Sequence, residues 1–389
     1  MKKAYIGNCI LPERILSRGI VVVESERILS VSDLGKASGD SGFEIVDLGE
    51  NFIAPGFIDL HLHGALGKDI LDADVKGLKV ISSFQARHGV TGFVGATMST
   101  SFDFLVRAVE AVKAAQALSL ESEILGVYIE GPFINVNKKG AHNSQFVGNL
   151  DEEEIERILE VLNGLTAIVP FAPEIPQHMN LIQKFKKRGV IAAIGHSNAT
   201  YSQANESFKA GVSHATHLFN AMRDFHHREP GVVGAVLDSK TVTSEIVADG
   251  VHVHPASIRI ALAQMGVDRI CLVTDSFKAS GLGDGVYEFG NSQVFVEGEK
   301  AVLLESNTLA GSVLPLNRAM KNILDWCELS VPEVVKMVTV NPARILGLED
   351  RIGCLKEGHQ ANLVMFDEEF NIKKTILKGR EVYSQTEFE

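Results

Sequence analysis

Between residues 56 and 276, short runs rich in Val, Ile, Ala and Gly alternate with amphipathic stretches. The runs are GFIDLHLHG, TGFVGATMS, ILGVYIEGP, TAIVPFAPE, VIAAIGHS, HATHLFNAM, SEIVADGVH and RICLVTDS. Stretches such as VKGLKVISSFQARHG, DFLVRAVEAVKAAQAL and DEEEIERILEVLNG lie between them. A short, nearly continuous apolar run suits a strand buried on both faces, and a stretch with apolar residues every three or four positions suits a helix packed on it. Eight such units predict the α/β class and a (β/α)8 TIM-like barrel. A doubly wound open sheet would need a phosphate loop after its first strand, and neither GxGxxG nor GxxxxGK[ST] occurs there.

The flanks differ. Residues 1–52 carry KKAYIGNCIL, RGIVVVESERILSV and GFEIVDLGENFIAPG, which read as short strands with turns, and residues 345–389 have the same character. The two ends are expected to build one small, discontinuous β-sandwich domain, with 53–344 as the barrel. Residues 277–315 read as a long insertion after the eighth strand, containing a hairpin-like segment. The net charge of -12 argues against nucleic acid as a main partner. The N-terminus has no charge-free apolar core like that of a signal peptide, and no run approaches the length of a membrane helix. Cys9, Cys271, Cys327 and Cys354 are far apart and form no CxxC, so neither a thiolate zinc site nor a disulfide framework is expected. A cytoplasmic location and a small-molecule substrate, with no membrane partner, follow as expectations.

Chemistry gathers at the C-terminal edges of the expected strands, the end of such barrels that carries active sites. Those edges hold His61 with His63, Thr97, Glu130, Glu174, His196, His217, Asp249 with His252, and Asp275. Side chains two apart share a strand face, so His61 and His63 point together and are able to bind one metal ion. Alone, such a pair is as often incidental. Glu130 closes an apolar run, where a lone carboxylate is costly unless paired or metal-bound; an ion pair inside the barrel is its plainer reading. His214 and His217, three apart, do not share a face. His217 is favoured as a ligand, and His214 as a buried hydrogen-bonding residue. Glu130, His196 and His217 form a nitrogen and oxygen set suited to zinc or ferrous iron with room for a water. Asp275 reads as a general base. His226 and His227 are expected to be exposed, as are His88, His178 and His359.

The motifs APGFIDLHLHG, EGPFINVNKKGAHN, GHSNA, THLFNAMRDFHHREPG, ADGVHVHP, LVTDS and TLAGS resemble the amidohydrolase superfamily. More narrowly, they resemble its N-acetylglucosamine-6-phosphate deacetylases, over nearly the whole chain. The resemblance implies metal-dependent removal of acetate from N-acetylglucosamine 6-phosphate. N-acetylgalactosamine 6-phosphate, or another N-acyl or cyclic amide, is the alternative substrate. It implies Glu130, His196 and His217 as ligands of the principal metal, zinc or iron. His61 and His63 would hold a second ion bridged by Glu130, so that one or two metals per subunit are open. Asp275 would be the catalytic aspartate, and His142 the residue at the acetamide carbonyl, beside Ala141. Asn220, Ala221, Leu309, Ala310 and Gly311 would contact the sugar. Arg228 and His252 would contact the phosphate, with His252 reaching across a homodimer interface. SFKASGLGDG departs from the family's pattern, and Lys278 near the aspartate is unexpected.

Overall fold

The computed structural model describes residues 2–34, 43–148, 150–290 and 292–385. Its centre is an eight-stranded parallel sheet: Phe57–Leu62, Val90–Thr97, Glu123–Ile129, Ala167–Phe171, Ile191–Ile194, His214–Ala215, Thr243–Val247 and Ile270–Val273. The strands pair in chain order. Last meets first: the Asp275 N–H donates to the His61 carbonyl at 2.8 Å, and the His63 N–H to the Ser276 carbonyl at 2.7 Å. The expected (β/α)8 barrel is the observed fold. Each strand is followed by a helix, from Val75–Arg87 after the first to Leu316–Trp326 after the eighth.

The continuous apolar runs have a simple cause. The strand Val90–Thr97 is buried at every position, because one face lines the barrel and the other meets the helices. Ile58, Leu60, Val94, Tyr128, Ile168 and Val273 belong to the inner cluster, with Ala343, Leu346 and Ile352 from the chain beyond the last strand packed against it. The helices are fixed by their own signals. In Glu152–Val161, Asp151 caps the first turn and Glu154 returns the bond, while Ile155, Ile158 and Leu159 make the buried stripe. Three acidic residues in that first turn also suit the helix dipole.

Strands from both ends of the chain share one seven-stranded sheet. Phe43–Pro55 joins them, parallel to Lys2–Leu11 on one side and antiparallel to Leu363–Phe366 on the other. This sheet curls over a core of Tyr5, Val21, Ile53, Leu363 and Met365. The segment before Leu363 meets the hairpin turn near Glu26, where the Ala361 N–H donates to the Glu26 carbonyl. The insertion after the eighth strand carries a three-stranded antiparallel flap, Gly285–Phe289, Ser292–Glu297 and Lys300–Leu303. Phe289 and Val294 of the flap pack with Phe277 and with Met98 near the barrel mouth.

The sixth strand is shorter than its sequence run suggests. Only His214 and Ala215 pair; the chain then turns, with φ of 25° at His217, 81° at Phe219 and 52° at Ala221. Bonds from the Leu218 N–H to the Glu245 carbonyl and from the Ser197 N–H to the Ala221 carbonyl hold that turn.

Candidate active site

Glu130 follows the third barrel strand and points into the mouth, buried among imidazoles. Its Oε1 lies 3.0 Å from His196 Nε2 and 2.9 Å from His217 Nε2. Its Oε2 lies 3.3 Å from His63 Nε2, 3.3 Å from His142 Nε2 and 3.6 Å from His61 Nε2. Asp275 Oδ1 is 3.3 Å from His63 Nε2. The rings of His61 and His63 are 5.3 Å apart, so the shared face expected from their spacing is observed.

Backbone strain is concentrated here. His196, His217 and Asp275 adopt φ of 46°, 25° and 47°, a left-handed conformation that costs ordinary residues roughly 1–3 kcal/mol each. With that backbone, all three side chains line one cavity. Gly131, with φ 92°, allows the next turn; a Cβ there would lie 2.0 Å from Ser99 Oγ.

Hydrogen bonds fix the ring protons. His196 Nδ1–H donates to the Lys138 carbonyl at 2.8 Å, which leaves a lone pair on Nε2. That lone pair faces Glu130 Oε1, another acceptor. His61 Nδ1–H donates to Glu245 at 3.0 Å, and its Nε2 has no hydrogen-bond partner. Acceptors facing acceptors in a buried site repel unless a cation lies between them, so this donor set fits a divalent ion. Two groups are in range: Glu130 with His196 and His217, and His61 with His63 and Asp275 beside Glu130 Oε2.

His142 has the opposite arrangement. Its Nδ1 accepts from the Ser99 N–H at 3.0 Å, so the ring proton sits on Nε2 and faces the site. Burial pushes its pKa down to about 4, which keeps the ring neutral. His142 is thus a neutral donor rather than a ligand, although it lies within ligand distance of Glu130 and His196.

Electrostatics follow the same geometry. Burial alone would raise the Glu130 carboxyl, but the His61 imidazole and the ring contacts of His142, His196 and His217 hold it well below the usual range. Burial likewise opposes ionisation of Asp275, and the His61 and His63 rings outweigh it. For His63, burial works downward and the Asp275 and Glu130 carboxylates lift the pKa to about 9. Protons and metal ions compete for these nitrogens.

The cavity above these groups measures about 360 Å³, within the range of small-molecule sites. Ala141, His142, Asn220, Ala221, His252, Leu309 and Gly311 line it, with His63, Glu130, His196, His217 and Asp275 at its base. His61 lies beneath the base, fully buried. Ala310 turns into the core of the flap.

The two expected phosphate contacts differ in placement. Arg228 is exposed and outside this cavity, its guanidinium 2.9 Å from His227 Nε2, in a loop where His226 pairs with Glu229. His252 lines the cavity of its own chain. Asp249 accepts its backbone N–H at 2.7 Å and its Nδ1–H at 2.6 Å, which folds the loop inward. His226 and His227 are exposed, as expected. His88, His178 and His359 are not at the surface: His88 is half-buried and bonded to Asn317, His178 packs on Phe133 and Phe171, and His359 is buried. His254 caps the helix Pro255–Met265.

Sequence reasoning missed three groups. Lys138 lines the cavity, brought there by the Asn135 and His196 bonds of its loop. Glu245 sits fully buried inside the seventh strand. Asp59 accepts from Thr274 Oγ1 at 2.6 Å and ties the first strand to the eighth. Lys278 lines a second cavity of about 250 Å³ that adjoins the first at Met98, Ala141 and Phe289.

The amidohydrolase family model matches residues 52–382. The N-acetylglucosamine-6-phosphate deacetylase of Bacillus subtilis (strain 168) is 35% identical over 374 residues, covering 95% of this chain and 94% of that one. The N-acetylgalactosamine-6-phosphate deacetylase of Escherichia coli O157:H7 is 32% identical over 329 residues, 84% of this chain and 87% of that one. The crystal structure of N-acetylglucosamine-6-phosphate deacetylase from Pasteurella multocida matches with a TM-score of 0.94 at 28% identity, over 99% of this chain and 100% of that one.

Proposed function

This chain belongs to the amidohydrolase family, and from that premise we propose that it removes acetate from N-acetylglucosamine 6-phosphate, releasing glucosamine 6-phosphate. It is a hydrolase of a linear amide C–N bond. One observation carries the reading. Both oxygens of Glu130 face ring nitrogens suited to a cation, while a neutral His142 donor and an ionised Asp275 border the same cavity.

Glu130, His196 and His217 would hold a divalent ion, zinc or ferrous iron, which would supply polarisation of a carbonyl oxygen and a lowered pKa for water. Asp275 takes the proton of the attacking water and returns it to the leaving nitrogen. Its suppressed pKa keeps it ionised for the first of these tasks. His142 directs Nε2–H at the acetamide oxygen as negative charge grows there, and its Ser99 bond keeps the ring from flipping. Asn220, Ala221, Leu309 and Gly311 border the sugar. Lys138 and His252, which both line the cavity, receive the phosphate, and holding that remote group orients the reacting carbon.

The same reading has the enzyme working in the cytoplasm as a homodimer. Arg228 is then a phosphate contact that a second copy supplies. The test is acetate release from N-acetylglucosamine 6-phosphate beside unphosphorylated N-acetylglucosamine. Rapid release from the phosphate alone is expected; release from neither would remove the substrate. N-acetylgalactosamine 6-phosphate is the second reading, favoured by the Escherichia coli relative, and belongs in the same assay.

A further inference from the structure

A carboxylate with no role in the reaction above lies deep in the barrel. Glu245, on the strand Thr243–Val247, is fully buried. An ion in such a place is costly, so its partners are informative. Oε2 accepts from His61 Nδ1–H at 3.0 Å and from the His217 backbone N–H at 3.1 Å. Oε1 faces His214 Nε2 at 2.9 Å, and His214 Nδ1 is 2.7 Å from Thr243 Oγ1. The contacts run from the strand's edge through His214 to Glu245 and end on His61.

The His61 ring is set in two ways. Its plane is stacked on Tyr128, with centroids 4.2 Å apart and 17° between planes. Stacking fixes the plane but not which nitrogen bears the proton. The bond to Glu245 decides that, and leaves Nε2 with its lone pair 3.6 Å from Glu130 Oε2 and 3.8 Å from Asp275 Oδ1. A carboxylate bonded to the far nitrogen of a metal-binding imidazole fixes its tautomer and raises its basicity.

We propose that Glu245 is a positioning residue for a second cation, holding His61 so that its Nε2 joins His63 and Glu130 as a ligand. The proposal rests on the metal reading of the site and not on the identity of the sugar.

The test counts ions. Metal-free protein is titrated with Zn²⁺ alone, and bound zinc per chain is measured by elemental analysis at fixed free metal. The wild-type chain is expected to take up two ions. Glu245→Gln keeps an oxygen for His61 but loses the charge. It should weaken the second ion by about 10–100-fold and leave the first in place. Glu245→Asp keeps the charge but shortens the reach to His61, and should weaken the second ion as well. In a His61→Asn background the second ion is already weak, so adding Glu245→Gln should change little. A wild-type chain that binds one ion overturns the proposal. So does a Glu245 variant that binds both ions normally, or one whose effect is equally large without His61. Acetate release plays no part in this count, so failure of the substrate assignment and failure of this inference are told apart.

Discussion

Replacing Asp275 by Asn tests the proton transfer with little disturbance of shape. The backbone at this residue is held independently of the side chain: its N–H bonds to the His61 carbonyl, and its carbonyl accepts the Ser312 N–H at 2.8 Å. The side chain's ion-pair contacts are His63 Nε2 at 3.3 Å and the more distant His61 Nε2 at 3.8 Å. Asn keeps an oxygen for the nearer contact and loses the capacity to accept a proton. A positioned general base contributes about 10²–10⁴-fold. At about 1.4 kcal/mol per tenfold, the barrier should rise by about 3–5 kcal/mol. The assay is kcat and KM for acetate release, with bound metal measured on the same preparation. The expected result is a fall in kcat of that size, KM within about threefold, and retention of the ion at Glu130, His196 and His217. A variant within tenfold of wild-type kcat would refute the assignment. Loss of that ion together with activity would instead make Asp275 a ligand.

Four further outcomes follow from the geometry. His142→Phe removes a neutral donor and should lower kcat by about 10²-fold with KM nearly unchanged, read in the same assay. Lys138→Ala should raise KM for the phosphorylated sugar by about tenfold or more, the worth of one charge-assisted bond, without a matching loss in kcat. Gly131→Ala meets Ser99 Oγ at 2.0 Å in a left-handed backbone, so it should lower the melting temperature and weaken catalysis through His142. Metal-free protein should show a pH dependence set by His63, whose pKa rises on folding from 6.5 to about 9. The proton bound more tightly in the folded state stabilises it fully below about pH 6.5, and that contribution is lost as pH rises through about 9. Thermal melts across this range, with and without bound metal, should show the loss in the metal-free sample only.

Much of this was legible because burial on both faces writes itself into the chain. The strand Val90–Thr97 has no exposed position and reads as a continuous apolar run. Glu130 stood out for the same reason, as a carboxylate ending such a run. Glu245 did not, although it is as deeply buried. It lies inside TSEIVADG, where a neighbouring Thr and Ser make one acid look ordinary. Its partners, His61 and His214, lie 184 and 31 residues away in the chain. Lys138 and Arg228 show the other limit. Both are basic loop residues, and no periodicity tells which loop folds inward. Bonds to Asn135 and to the His196 ring hold the Lys138 backbone at the cavity, while Arg228 sits in a loop closed by its own His226–Glu229 bridge. The left-handed turns at His196, His217 and Asp275 are likewise invisible in residue type, since none is glycine.

The central claim is that a cation held on Glu130 drives hydrolysis of the acetamide. It is tested most directly by kcat/KM for N-acetylglucosamine 6-phosphate on one preparation, measured as metal-loaded, after chelation, and after reloading. The account predicts that activity disappears with the metal and returns when zinc or ferrous iron is restored. Full activity in protein shown by elemental analysis to be free of metal would contradict it.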